Sequence, residues 1–259
     1  MNELNLLSDS VFPGGYPVVF FHAHPDDEAF LSAGLINELI KSGRECLVLY
    51  GAAAIVDGVE KTALRQSEAK KSCELLSISS ALFLEFCEPK YSQKDALPLI
   101  NQKIKRISDS MFAALNKKNI KLPLVLVSYD KNGGYGNPDH RLIHLAGRHF
   151  QKKYKAIVKS FIEITINRDK VNSWLSGAKN RLTQKSLPKV SYWSNEFGLP
   201  ARKITHCYRL TKAQLALKRH VLAVHKSQVI QDEFPLSLSE EDFVEIFGCE
   251  FFTCLEEAK

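Results

Sequence analysis

Residues 17–30 read PVVFFHAHPDDEAF, and this stretch decides the fold. Val18 to Phe21 are β-branched or aromatic with no polar alternation, which predicts a strand buried on both faces, as in a parallel sheet covered by helices. At Pro25 the pattern changes. Phe30, Leu31, Leu35, Leu39 and Ile40 recur at helical spacing on one face, and Gly43 closes the run as a C-terminal cap. The polar residues between strand and helix therefore stand at the carboxyl end of a strand, where open α/β sheets bind their ligands.

The same alternation continues outward. Strands are expected at 46–50, 81–86 and 122–128, and helices at 60–76, 92–116 and from Pro138 onward. This predicts an α/β, Rossmann-like three-layer fold, with a mostly parallel sheet and helices on both faces. No G-x-G-x-x-G follows the first strand, which argues against a dinucleotide site. Further on, 189–193 and 204–210 read as strands. Thr211 with Gln214, and Ser239 with Asp242, read as N-terminal caps of two late helices. No linker or repeat divides the chain. The expectation is one domain over 1–259, with an α/β core at 1–150 and a basic insertion and C-terminal extension at 151–259.

Composition narrows the class. The 259 residues are 45% hydrophobic and 25% charged, an ordinary globular balance. Six cysteines at 46, 73, 87, 207, 249 and 254 form no C-x-x-C pair, so neither a zinc ribbon nor a disulfide framework is expected. Without a basic, apolar leader or a long apolar run, the expectation is a cytoplasmic protein with no transmembrane segment. The oligomeric state is left open. Net charge is +6, and residues 151–190 hold ten Lys/Arg against two acids. Such a block would suit an anionic small-molecule substrate, although a solvated lysine-rich insertion is the plainer reading. No arginine-rich helix or aromatic platform accompanies it, so nucleic acid is not an expected partner.

Two constellations carry chemistry. His24-Pro25-Asp26-Asp27-Glu28 places an imidazole and two adjacent carboxylates at the start of a helix. One carboxylate can join the imidazole on a metal while its neighbour faces a water. Helix capping accounts for a single Asp but not for His24. Gly133-Gly134-Tyr135-Gly136-Asn137-Pro138-Asp139-His140 follows the fourth strand and should reach the same sheet edge. Asn137 reads as a cap with Pro138 at the first helical position. His24, Asp27 and His140 would make a three-ligand set with one open position, the pattern of catalytic zinc. His144, one turn past His140, reads as a packed histidine, and His22 as either a wall of the site or core.

These two motifs together resemble the PIG-L/LmbE family of zinc-dependent N-deacetylases, which remove acetyl from N-acetylglucosamine-type sugars and their conjugates. Arg65-x-x-Glu68 is similar to the family's Arg-x-x-Glu helix, and Lys218 to Gln228 (KRHVLAVHKSQ) to its late Lys…His-x-Ser-Gln stretch. The resemblance implies a hydrolase acting on an amino sugar or glycoconjugate. Its metal would be held by His24, Asp27 and His140, with Zn2+ as the implied ion and Fe2+ as another suited to these donors. Asp26 would activate the metal-bound water, and Tyr135 and Asn137 would line the reacting carbonyl. Arg65 and Glu88 would contact substrate, and Glu28 and Asp139 would support the ligands from behind. The family usually has His where Asn137 stands, and asparagine can donate a hydrogen bond but cannot deliver a proton. An amidase on another acyl amide, or a non-catalytic metal- or sugar-binding member, is the alternative that substitution leaves open.

Overall fold

The computed structural model describes residues 2–3, 11–51, 59–84, 97–187 and 197–254. Among the described residues eight strands form one sheet: β1 (Asn2–Glu3), β2 (Val18–His22), β3 (Cys46–Tyr50), β4 (Ser80–Phe83), β5 (Leu124–Tyr129), β6 (Val158–Thr165), β7 (His206–Arg209) and β8 (Cys249–Cys254). Their order is β1-β7-β8-β6-β5-β2-β3-β4. All pairings are parallel except those of β8, which runs antiparallel to β6 and β7. This is the three-layer α/β architecture that the apolar strands predict. β2, β3 and β5 are buried at every residue, and each Val, Leu or Phe hidden there contributes about 1.5–3 kcal/mol.

The helices are α1 (Asp27–Leu31), α2 (Ala33–Lys41), α3 (Val59–Leu75), α4 (Leu97–Lys117), α5 (Pro138–Lys153), α6 (Arg168–Ala178), α7 (Lys212–Val224) and α8 (Glu240–Phe247). α4 and α5 pack together, with α5 on β5 and β2, while α7 packs against α1, α2 and α3. No helix of the described residues is long and apolar enough to cross a membrane.

Three differences from the sequence reading have physical causes. The single helix expected from Pro25 to Gly43 breaks at Ser32, which ends α1 and opens α2. There the Glu250 carboxylate of β8 accepts the Gly34 and Leu35 N–H groups at 2.9 and 2.8 Å. An anion at a helix N-terminus satisfies donors that a continuous helix would have used internally. Gly34 is needed for this approach, because a Cβ there would lie 2.6 Å from Leu210 Cγ. Second, the basic stretch supplies β6, which pairs with β5 from Leu124 to Tyr129, and α6. Third, β8 enters the sheet between β7 and β6. The strand expected at 189–193 lies outside the described residues.

The chain winds from β2 outward to β3 and β4, then returns to β5 on the other side of β2. The β2/β5 boundary is a topological switch point, where open α/β sheets form their ligand-binding crevice. Both sequence motifs follow these two strands.

Candidate active site

Three side chains converge at that crevice. His24 Nδ1 lies 3.2 Å from His140 Nε2. His140 Nε2 lies 3.2 Å from Asp27 Oδ1. Asp27 Oδ2 lies 3.6 Å from His24 Nδ1. Asp27 and His140 are fully buried and His24 nearly so. An ion with bonds of about 2.0–2.1 Å in tetrahedral geometry spaces its ligands by roughly 3.3 Å, which matches these separations. Asp27 Oδ1 is also a buried carboxylate oxygen without a hydrogen-bond donor, an arrangement that costs free energy unless a cation or water completes it. These residues therefore fit a divalent metal, and among the described residues they form the one His/Cys/Asp/Glu group close enough to hold one.

The surroundings aim these atoms. The Asp139 carboxylate sits 3.1 Å from His24 Nε2. With the ring proton there, Nδ1 keeps its lone pair for the cluster. Asp27 Oδ2 accepts from the Tyr129 hydroxyl at 2.6 Å and from the His24 N–H at 2.7 Å. Tyr129 oxygen in turn accepts the Ala23 N–H at 2.6 Å, and its ring stacks on His140 with centroids 4.0 Å apart. Burial would raise the Asp27 carboxyl, but His140, with help from His24 and His22, outweighs it and holds Asp27 well below the usual carboxylate range.

Asp26 occupies the N-cap of α1, yet its side chain makes no cap hydrogen bond. Burial and the neighbouring Asp27 charge push it up to about 6, against the pull of His225, Arg65 and His24. It lines a cleft together with Tyr135, whose hydroxyl is 3.3 Å from His140 Nε2. Asn137 caps α5, its side-chain oxygen accepting the Asp139 N–H at 2.8 Å. The loop before it turns at Gly133, Gly134 and Gly136, all with positive φ. At Gly133 a Cβ would also press within 2.7 Å of the Asn137 carbonyl oxygen, so only glycine lets the loop fold back under His140.

The other expected residues fall in distinct places. Glu28 is fully buried behind the turn. Its carboxylate accepts from Tyr50 at 2.8 Å and from Ser72, and meets His225 Nε2 at 2.9 Å. Arg65 donates to Gln228, whose amide donates to the Pro25 carbonyl at 2.6 Å. Glu68 accepts the Ser227 N–H at 2.9 Å and the Ser227 hydroxyl. The two minor sequence motifs therefore dock on each other and on the turn carrying Asp26. Glu88 lies outside the described residues. His144 is bound to the Tyr129 carbonyl at 2.8 Å, and His22 is buried against Ser32 at 3.1 Å; neither joins the cluster. Sequence reasoning missed Tyr129, although a hydroxyl-bearing aromatic ending an apolar strand beside a motif was a usable signal.

The fold and site define an α/β sheet edge at which His24, Asp27 and His140 could hold a metal beside Asp26, and the comparisons assign the family. The sequence profile described as PIG-L, GlcNAc-PI de-N-acetylase, matches residues 19–151, and the chain belongs to this family. It is 28% identical over 141 residues to the mycothiol S-conjugate amidase of Streptomyces coelicolor, covering 48% of this chain and 47% of that protein. It is 26% identical over 149 residues to the 1D-myo-inositol 2-acetamido-2-deoxy-alpha-D-glucopyranoside deacetylase of Rhodococcus erythropolis, covering 49% of this chain and 50% of the other. The chain thus spans about half the length of the curated relatives it matches. A crystal structure of a deacetylase from the teicoplanin biosynthesis pathway superimposes with a TM-score of 0.63 at 11% identity, covering 93% of this chain and all of that one. At that identity the likeness is one of fold.

Proposed function

We propose that this protein is a metal-dependent amide hydrolase that removes acetyl from an N-acetylglucosamine-type sugar or conjugate. The observation that carries this reading is the pairing of a ligand-ready His24, Asp27 and His140 cluster with an uncapped Asp26 in the same turn. His24, Asp27 and His140 would hold a divalent ion, zinc in the leading reading, which would supply Lewis acidity beside the scissile amide. Asp26 accepts the proton of the attacking water, and its raised pKa suits a carboxylate that must also give the proton back to the leaving amine. The Tyr135 hydroxyl, on the cleft wall, donates to the oxygen that becomes negative. Asn137 has its oxygen committed to the α5 cap, which leaves only its amide N–H2 for a substrate.

The relatives support amide hydrolysis at an amino sugar, since one is named a deacetylase of an acetamido sugar and another an amidase. An amidase on another acyl amide is the second reading, favoured by the amidase relative. Cys46, Cys73, Cys249 and Cys254 form no disulfide among the described residues, which suits a reducing cytoplasm. The test is metal analysis of the purified protein alongside release of acetate and amine from N-acetylglucosamine and its phospho- and inositol-linked forms. Near-stoichiometric metal with acetate release is the expected result. A folded, zinc-supplemented sample that binds no metal would sink the reading.

A further inference from the structure

The cleft that Asp26 and Tyr135 line is much larger than an acetyl group needs, at about 260 Å³. Its walls are mainly apolar and include Phe30, Val171, Ile230, Phe234, Ile246 and Phe247. They come from α1, α6, α8 and the segment between α7 and α8. Ring packing holds them in place: Phe247 lies 6.4 Å from Phe30 and 6.0 Å from Phe234, and Phe234 lies 6.4 Å from Trp174. Ile230 is 50% exposed and Ile246 is half-buried, so apolar surface is kept at the cleft rather than sunk in the core. The buried cation Lys218 is neutralised by Glu250 at 2.7 Å, while Lys170, Lys185 and Glu233 add charged groups to the wall. A concave, largely apolar surface continuous with reacting groups is the usual form of a site for an apolar ligand portion.

We infer that the natural substrate carries a hydrocarbon chain of several carbons beside the scissile amide, and that this chain lies in the cleft. The inference rests on the hydrolase reading above. Two sources give this chemistry: the acyl group being removed, or an alkyl aglycone of the amino sugar. In either case water adds its oxygen to the acyl carbon, the C–N bond breaks, and the proton passes to the amine, releasing a carboxylate and an amino sugar.

The experiment compares N-acetylglucosamine, N-hexanoylglucosamine and hexyl 2-acetamido-2-deoxyglucoside. Binding is measured by calorimetry on metal-loaded Asp26→Asn, and kcat/KM by amine release with the native protein. One hexyl-bearing compound should bind at least about tenfold more tightly than N-acetylglucosamine, the gain from burying as few as two methylenes. Which compound wins identifies the source. Ile230→Asn, at an exposed position, and Ile246→Asn should each cut that preference to threefold or less with the melting temperature retained. Equal binding of all three compounds would overturn the inference, as would a preference unchanged in both variants. Selective binding of a hexyl compound with no turnover of any compound would uphold the cleft and reject the hydrolase reading.

Discussion

Glu28 and His225 meet 2.9 Å apart with both side chains fully buried, although 197 residues separate them in sequence. The pair joins the first helical turn after β2 to the end of α7. Hydrogen bonds from Tyr50 and Ser72 satisfy the rest of the carboxylate, while His225 Nδ1 is buried without a partner. Removing one partner strands the other. His225→Ala should therefore cost about 3–5 kcal/mol in urea unfolding, and Glu28→Ala a similar amount. A loss under about 1 kcal/mol for both would show that the contact holds nothing.

Asp27→Asn and His140→Ala should remove most metal binding while leaving a folded chain. In the native protein, a metal at a hundred times its dissociation constant should add about 2.7 kcal/mol of stability. Thermal melts with and without a chelator, on native and variant proteins, read this directly. The variants should melt alike in both conditions.

Asp26→Asn should keep the metal and lose turnover by about 10²–10⁴-fold, the range for a removed general base. Elemental analysis beside a steady-state assay separates this from loss of the ligand set. Equal rates for variant and native protein would assign the proton transfer elsewhere.

Tyr129→Phe tests a residue that acts through Asp27. Its hydroxyl bonds both Asp27 and the Ala23 N–H. Metal affinity should fall about 10–100-fold, measured by competition with a chromophoric chelator. Stability should fall by about 1–3 kcal/mol because the buried Ala23 N–H loses its acceptor.

Glu163, 3.6 Å from His144 Nδ1, gives a pH signature of its own. Burial, and to a smaller degree Asp130, push its carboxyl up to about 7 against Arg148 and Lys131. The unfolded chain releases this proton near pH 4.5, so between there and about pH 7 the folded state holds the extra proton. Stability contributed by this group is therefore complete below pH 4.5 and lost as pH rises through 7. Glu163→Gln should flatten that part of the stability–pH curve and raise stability at pH 8. Urea midpoints at pH 5, 6.5 and 8 would show it; parallel curves for the two proteins would reject it.

The sequence made the parallel core and the cradle legible for one reason each. Strands buried on both faces have no polar alternation, so β2, β3 and β5 stand out as apolar runs. His24, Asp27 and His140 are chemically distinctive and follow such strands. β6 did not stand out because Lys159 and Ser160 break its apolar run and it sits among lysines. β8 carries Glu250 and Thr253, both buried, and a buried acid hides a strand from any hydropathy reading. The break at Ser32 was invisible because its cause, the Glu250 carboxylate, lies more than two hundred residues away.

That arrangement has a consequence for how the protein comes into being. β8 is the last strand among the described residues, yet it sits between β7 and β6, and Gln228 and His225 brace the turn that carries Asp26. A chain emerging from the ribosome can form β2 to β5 early, but its reactive turn stays unbraced until α7 has been made. Long-range pairing of this kind slows folding. Bracing of the Asp26 turn should thus arrive late, and a nascent chain halted before residue 225 should carry the sheet edge without the contacts of Gln228 and His225.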